Sequence, residues 1–164
     1  MNKVYTSKKL ILEFLVTTLT LFFLVIFSGK IILSQLNQPF KKSAMIGEKV
    51  IQVEIVSTTD KLIKGLSGRK SLADNTGMLF DFGNYHTRTF WMKDMNFPLD
   101  IIWISGGKIV GIDKNLSPES NLPKNKYYSP GPVNQVLEVN GGWCDRNQIM
   151  IGQSFYLIDV DKNY

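Results

Sequence analysis

Asp100 sits in Phe97-Pro98-Leu99-Asp100-Ile101-Ile102-Trp103, a run with no other charge. Burying an ionised carboxylate without a partner is costly. Asp100 must therefore be paired with a cation, stand at a pocket mouth, or be protonated. Arg69, Arg88 and Lys93 are the cations at hand in the surrounding block. Glu138, in Val136-Leu137-Glu138-Val139, raises the same question less sharply, because alternation with Asn134 and Val136 also permits a solvent-facing position. Two carboxylates lining one cavity would suit the acid/base work of glycoside cleavage. Asp100 and Glu138 are accordingly the candidate catalytic residues.

Other chemistries find less to work with. Cys144 is the only cysteine, so the chain forms no intramolecular disulfide, and His86 is the only histidine. One thiol and one imidazole supply no zinc-ligand spacing. A nucleophile, paired with His86, or a redox thiol is the alternative to a small buried core residue for Cys144. No Gly-rich phosphate loop and no Ser-His-Asp order is present, and nothing calls for a cofactor. Trp91, Trp103, Trp143 and Tyr127-Tyr128 are a heavy aromatic load. Core packing accounts for such rings in general, and an exposed platform that stacks on sugar rings is the functional reading. Lys93, just after Trp91-Met92, is either an anion contact or a solvated strand end.

The elements that must hold these residues read mainly as strands. Lys49 to Val56 alternates Ile51, Val53 and Ile55 against Gln52 and Glu54, the pattern of a half-buried strand. Thr58 or Thr59 begins a short helix that runs to about Leu66 and stops at Gly65 or Gly68. Met78 to Phe82 and Thr87 to Met92 alternate again, the second placing Arg88, Phe90 and Met92 on one face. Leu99 to Ser105 is almost wholly apolar, as a strand buried on both faces would be. Gly106-Gly107 fits a hairpin turn into Lys108 to Ile112. Val133 to Val139 and Phe155 to Val160 complete the set. About seven short strands separated by turn signals predict an all-β sandwich or distorted barrel with one or two short helices. Ser117 to Pro132, with four prolines, reads as a long surface loop of the kind that lids and binding surfaces use.

Ahead of this domain lies a different kind of sequence. Leu10 to Phe27 is an 18-residue stretch broken only by Glu13 and preceded by Lys3, Lys8 and Lys9. As a helix it would rise about 27 Å, enough for a bilayer core. Phe27-Ser28-Gly29 and Ser28-Gly29-Lys30 each fail one position of a signal-peptidase site. The predicted plan is a cytoplasmic basic tail over 1–9, a transmembrane signal-anchor over 10–33, a tether over 34–47 and an extracytoplasmic β domain over 48–164. Charge follows that plan. From Ala44 onward 13 Lys and Arg face 13 Asp and Glu, so the first 43 residues carry the whole net charge of +5. A neutral domain without a basic stripe predicts no nucleic-acid partner, and a single self-contained core predicts a monomer.

Gly77-Met78-Leu79-Phe80, Phe90-Trp91-Met92-Lys93 and Pro98-Leu99-Asp100, followed by Val136-Leu137-Glu138 and a Gly-rich segment, resemble in order the exported family called domain of unknown function 192. The family pattern begins with Gly-Leu-Met-x-Arg, here Gly65-Leu66-Ser67-Gly68-Arg69, and has Asn-Thr where this chain has Asp94-Met95. The resemblance implies a mainly-β fold and export, and brings no established activity. It also places Arg69 in one motif set with Asp100 and so implies that the two pair. The functional expectation is a membrane-anchored extracytoplasmic domain that binds a small ligand or glycan near Arg69, Trp91, Lys93 and Asp100. An envelope-directed hydrolase using Asp100 and Glu138, and a structural accessory of an envelope assembly, are the alternatives.

Overall fold

The computed structural model describes residues 16–24 and 41–158. The chain divides into two units, Met1–Pro39 and Phe40–Tyr164. In the first, residues 16–24 form a helix, α1, whose Val16, Leu19, Leu21, Phe22, Phe23 and Leu24 are all exposed. No helix among the described residues is long and apolar enough to cross a membrane. The rest of the predicted signal-anchor, and the tether as far as residue 40, lie outside the described residues.

The second unit is mainly β. Its strands are β1 (Lys41–Ile46), β2 (Lys49–Val56), β3 (Thr76–His86), β4 (Thr89–Phe90), β5 (Leu99–Ser105), β6 (Lys108–Leu116), β7 (Tyr127–Tyr128), β8 (Val133–Asn140) and β9 (Phe155–Ile158). Two short helices join them, α2 (Thr59–Lys64) and α3 (Trp143–Arg146). Seven strands form one sheet in the order β6-β5-β8-β3-β2-β1-β9, and β4 pairs with β7 as a separate ribbon. Neighbours are antiparallel except β2 and β3, which run parallel with α2 in the connection between them.

The two outermost strands nearly meet. Lys108 of β6 bridges Ser154, just before β9. Phe155 N–H donates to the Gly107 carbonyl at 2.8 Å, and Ile109 N–H to the Gln153 carbonyl at 3.0 Å. The sheet is thus curled into a half-barrel rather than folded into a two-sheet sandwich, and of the two expected β architectures the distorted barrel is the one that forms. Curling also explains the concave core. Ile104 and Ile109 from one end of the strand order pack in one cluster with Ala44, Ile46 and Phe155 from the other, together with Trp143, Cys144 and Ile149 from the α3 segment. The convex face carries a second cluster, Met78, Phe80, Ile101, Trp103 and Val136, covered by Leu66, Met92 and Met95.

β1 is a correction to the expected tether, because residues 41–46 belong to the sheet. Ala44 and Ile46 are fully buried, and the strand pairs on one side with β2 and on the other with β9. Its sequence, KKSAMI, has too few apolar residues to announce a strand; the neighbours on both sides impose it. The predicted strand over 87–92 is also shorter than expected. Only Thr89-Phe90 pairs, and its partner is Tyr127-Tyr128 in the long proline-rich loop.

Asp100 pins this architecture. It lies on β5, fully buried on the concave side with Ile102 and Ile104. Its Oδ1 accepts from Asn115 N–H at 2.7 Å and Gly142 N–H at 2.9 Å, and its Oδ2 accepts from Cys144 N–H at 2.8 Å. Gly142 and Cys144 are at the start of α3, where free N–H groups and the helix dipole favour a negative charge. Among the described residues Asp100 has no ion-pair partner, and it does not line the cavity on the other face of the sheet. The implied Arg69 partner is corrected: Arg69 donates instead to Glu54 Oε2 at 2.8 Å. The physical reason is the pleat. Glu54 is on the convex face with Arg69, whereas Asp100 points through the sheet to the other side. Asp100→Asn is expected to cost about 2–4 kcal/mol, because an amide NH₂ cannot accept the N–H groups left behind. Arg69→Met, breaking a partly solvated pair, should cost about 1 kcal/mol or less. Urea unfolding of both and of the double variant should give additive losses within about 0.5 kcal/mol; strong coupling would restore the direct contact.

Candidate functional site

On the convex face a cavity of about 510 Å³ opens between α2 and the β3–β4 region. Its walls are largely apolar, with Leu62, Ile63 and Leu66 on the helix side and Phe80, Phe82, Phe90, Trp91 and Met95 on the other. Phe80, Phe90 and Trp103 fix the floor through edge-to-face contacts. Their ring centroids lie 4.9 Å (Phe80–Phe90) and 5.5 Å (Phe90–Trp103) apart, with interplanar angles of 84° and 87°. Such pairs add about 0.5–1.5 kcal/mol each beyond burial. The Trp103 indole N–H donates to Asp113 Oδ2 at 2.7 Å, which ties that ring to β6.

One glycine helps to create the space. Gly65 ends α2 at φ +49°, a backbone conformation that side chains resist. A Cβ there would stand 3.2 Å from Phe80 Cζ and 3.9 Å from Glu138 Oε2, so glycine lets the helix end close over the cavity without filling it. Gly77 serves β8 instead: a Cβ would lie 2.8 Å from both the Glu138 carbonyl oxygen and Leu137 Cδ1.

Glu138 is the polar centre. Register puts Glu54, Met78, Glu138 and Ile101 in one row across β2, β3, β8 and β5, hence on one face. Glu138 is 5% exposed, and its Oε2 has no hydrogen-bond partner among the described residues. Burial pushes its carboxyl up to about 8, with the Arg69 charge pulling the other way. At neutral pH it is mainly a protonated, hydrogen-bond-donating acid. Arg88 is the second polar group. Its Nη2 donates to the Asn84 carbonyl and side-chain oxygens, and its guanidinium carbon lies 3.9 Å over the Phe82 ring. Its Nε is buried without a partner among the described residues, and burial works against its charge.

The expected residues divide accordingly. Trp91 lines the cavity and is 44% exposed at its rim. Arg69 stands beside it, held by Glu54 and close enough to act on Glu138. Lys93 is not part of the lining; its carbonyl accepts from Ser67 Oγ at 2.8 Å, and its backbone bridges Glu119. Asp100 and Glu138 face opposite sides of the sheet and form no acid/base pair. Cys144 is buried beside Asp100, and both influences raise its thiol far above the range of a nucleophile. His86 is an exposed residue at the end of β3. The residue not anticipated here is Arg88. Its signal was alternation with Phe90 and Met92, which places a cation on an otherwise apolar face.

The sequence profile of the domain of unknown function 192 family (DUF192), described as Uncharacterized ACR, matches residues 42–157. The chain belongs to the DUF192 family. A candidate transcription regulator from Sinorhizobium meliloti 1021 has a similar crystal structure, with a TM-score of 0.66 and 30% identity over 71% of this chain and 92% of that one. A protein of unknown function from Novosphingobium aromaticivorans DSM 12444 is similar at TM-score 0.65 and 29% identity, over 71% of this chain and 84% of that one. No curated protein matches the chain significantly in sequence.

Two departures from the DUF192 pattern acquire a physical meaning. Asp94 has φ +54°, a left-handed conformation that Asn and Asp tolerate best, so Asp94 keeps the backbone shape that the usual Asn would take. Met95 is a real change, since it puts an apolar side chain in the cavity wall where the family pattern has a hydroxyl. The long loop takes no part in the lining. It braces the DUF192 motif segment from outside: Glu119 N–H donates to the Met92 carbonyl, Ser129 N–H to the Arg88 carbonyl, and Arg88 N–H to Ser129 Oγ.

The protonation of Glu138 sets a pH dependence. Its folded pKa is raised, so between pH 4.5 and about 8 the folded domain holds a proton that the unfolded chain gives up. Stability from this group therefore falls as pH rises through that window, by up to about 1.4 kcal/mol per unit, and levels off above it. Glu138→Gln is neutral throughout, so its stability relative to the parent should rise from pH 5 to 8 in urea titrations. A difference independent of pH would mean that Glu138 is ionised in the fold.

Proposed function

We propose that this DUF192 domain is a small-ligand binding module, held outside the cytoplasm by its N-terminal apolar segment. One observation carries the binding reading: Glu138 and Arg88, each with a buried side-chain atom that has no partner among the described residues, both line the same cavity. Leaving such an atom unsatisfied costs about 1–3 kcal/mol, and native folds keep few of them without a reason. The cavity's volume also falls in the range of small-molecule sites, and its mix of apolar walls with a few polar groups is the usual composition of one. Support for the anchor is the charge-poor stretch from Leu10 to Phe27 behind a basic tail, and the exposed apolar side chains of α1.

A hydrolase built on Asp100 and Glu138 loses its support, since the two carboxylates occupy opposite faces. A purely structural accessory has no use for an open cavity with ionisable groups in its apolar wall. The S. meliloti neighbour raises nucleic acid as a partner, but the balanced charge from Ala44 onward speaks against a phosphate-binding surface. Glycan binding is the second reading, favoured by Trp91, whose exposed ring at the rim offers a stacking surface.

A plug tests the site. Thr89 is exposed, lines the cavity and has no side-chain role in the fold. In ligand-observed NMR with a fragment mixture, the parent chain should bind several fragments and Thr89→Trp should lose them. Equal binding by both, or none by either, would sink the cavity as the site. For the anchor, the intact mass of membrane-extracted protein should include Lys3 to Phe27, whereas a mature N-terminus near Lys30 would make the segment a cleaved signal peptide.

A further inference from the structure

α2 packs loosely for a helix of a folded domain. None of its residues is fully buried, and Ile63 is 68% exposed. Ile63 and the exposed Trp91 both border the cavity. Lys61 and Lys64 stand beside Ile63 on the same short helix, exposed and without an ion pair among the described residues. The balanced charge of the domain hides a local excess here. Of the 13 bases from Ala44 onward four fall in residues 59–70, and of the 13 acids only Asp60 does. Arg69 is matched by Glu54, so lysines supply the outward charge. An aliphatic side chain, an indole ring and lysines on one exposed patch are the composition of a contact with a bilayer interface. A nucleic acid needs bases spread along many phosphates, which so small a patch does not offer.

The patch lies at the end of the sheet where the chain enters the domain. Lys41, the first residue of β1, pairs with Glu54 of β2, and β2 ends at Val56 and leads into α2. Arg69 returns the segment after α2 to the same end through its 2.8 Å contact with Glu54. The turn that holds Met150 is at the opposite end. Gly47, just past the last residue of β1, donates its N–H to the Ser154 carbonyl at 2.9 Å, and Gln153 Oε1 accepts from Met150 N–H at 3.0 Å. We propose that the corner formed by α2 and Trp91 docks on an anionic phospholipid surface, with Ile63 and Trp91 in the interface and Lys61 and Lys64 on the head groups. The inference builds on the reading of the N-terminal segment as an anchor. An anchored domain meets the surface at high effective concentration, so docking needs little affinity of its own. Each lysine near the surface contributes about fivefold to it. The cavity mouth, bordered by Ile63 and Trp91, then opens toward the bilayer.

Cys144 is the only cysteine and is fully buried, so a cysteine placed at the surface takes a thiol-reactive fluorophore alone. The test labels the full chain through Ile63→Cys or, as the control at the far end, through Met150→Cys; both native side chains are exposed. Each is put into nanodiscs of phosphatidylglycerol and phosphatidylcholine in equal parts, or of phosphatidylcholine alone. In the anionic discs the label at position 63 should shift to the blue and be quenched by lipids that carry a nitroxide near the head group. Both responses should fade in phosphatidylcholine or in concentrated salt, and the label at position 150 should stay water-like throughout. Lys61→Gln together with Lys64→Gln should lower the docked-to-free ratio about 25-fold. Retention of the chain by the discs through a high-salt wash reads the anchor separately. A retained chain whose position 63 is as water-like as position 150 would overturn docking and leave the anchor. A chain that washes off, yet is quenched at position 63 in low salt, would overturn the anchor and leave docking. Washing off without quenching would overturn both. A blue shift without quenching by the lipid label would put a second copy of this chain on the face, and equal quenching at both positions would mean contact without orientation; either overturns the proposal.

Discussion

A buried carboxylate held by three backbone N–H groups organises the domain. Asp100 gathers Asn115 from the end of β6 and Gly142 and Cys144 from the start of α3 around one strand residue. Three segments distant in sequence are thereby fixed to the middle of the sheet. The α3 segment brings Trp143, Cys144 and Ile149 into the concave core, and that core joins the two edges of the curled sheet. An ion pair would have supplied charge balance alone. Backbone donors supply charge balance and chain position together, and they satisfy helix-end N–H groups that would otherwise be buried unpaired.

With the concave face committed to packing, the convex face is left to be covered by irregular structure. Short elements do this: α2, the segment from Gly65 to Arg69, and the β4–β7 ribbon. Ser67 is tied to Lys93, Gly68 to Asp94, and the proline-rich loop to Met92 and Arg88. The cavity is the space these pieces do not fill. Its rigidity comes from the hydrogen-bonded frame behind it, and the rim carries the exposed Trp91 and Ile63. The arrangement separates duties. Asp100 holds the fold on one side of β5, and Glu138, on the neighbouring strand, faces the cavity on the other.

These two buried acids meet different surroundings. Asp100 receives three donors and satisfies them as an acceptor. Glu138 has an unpartnered oxygen and is pushed toward its neutral form. Glu138 thus keeps hydrogen-bonding capacity to spare, whereas Asp100 spends its oxygens on the backbone. Arg88 is the complement, a cation held by Asn84 through Nη2, with a buried Nε–H that has no partner among the described residues. The same logic explains why Arg69 is less informative than its motif position implies, since Glu54 already uses it.

Much of this was legible along the chain. Alternation marked β2 and β8, the unbroken apolar run marked β5 as buried on both faces, Gly106-Gly107 marked the hairpin, and the motif order marked the family. Those signals are local, and side-chain periodicity reports them wherever one strand has a buried face. The same run also showed that Asp100 needed a partner, but not which one. β1 was hidden because its strand character comes from β2 and β9 and not from KKSAMI itself. Arg88 and Glu138 both stood at apolar-face positions, yet only folding placed them in the walls of one cavity. Sequence determines which face of a strand a residue occupies. Which groups meet across that face depends on pairing between segments far apart in the chain, and that is fixed only by the register and curl of the folded sheet.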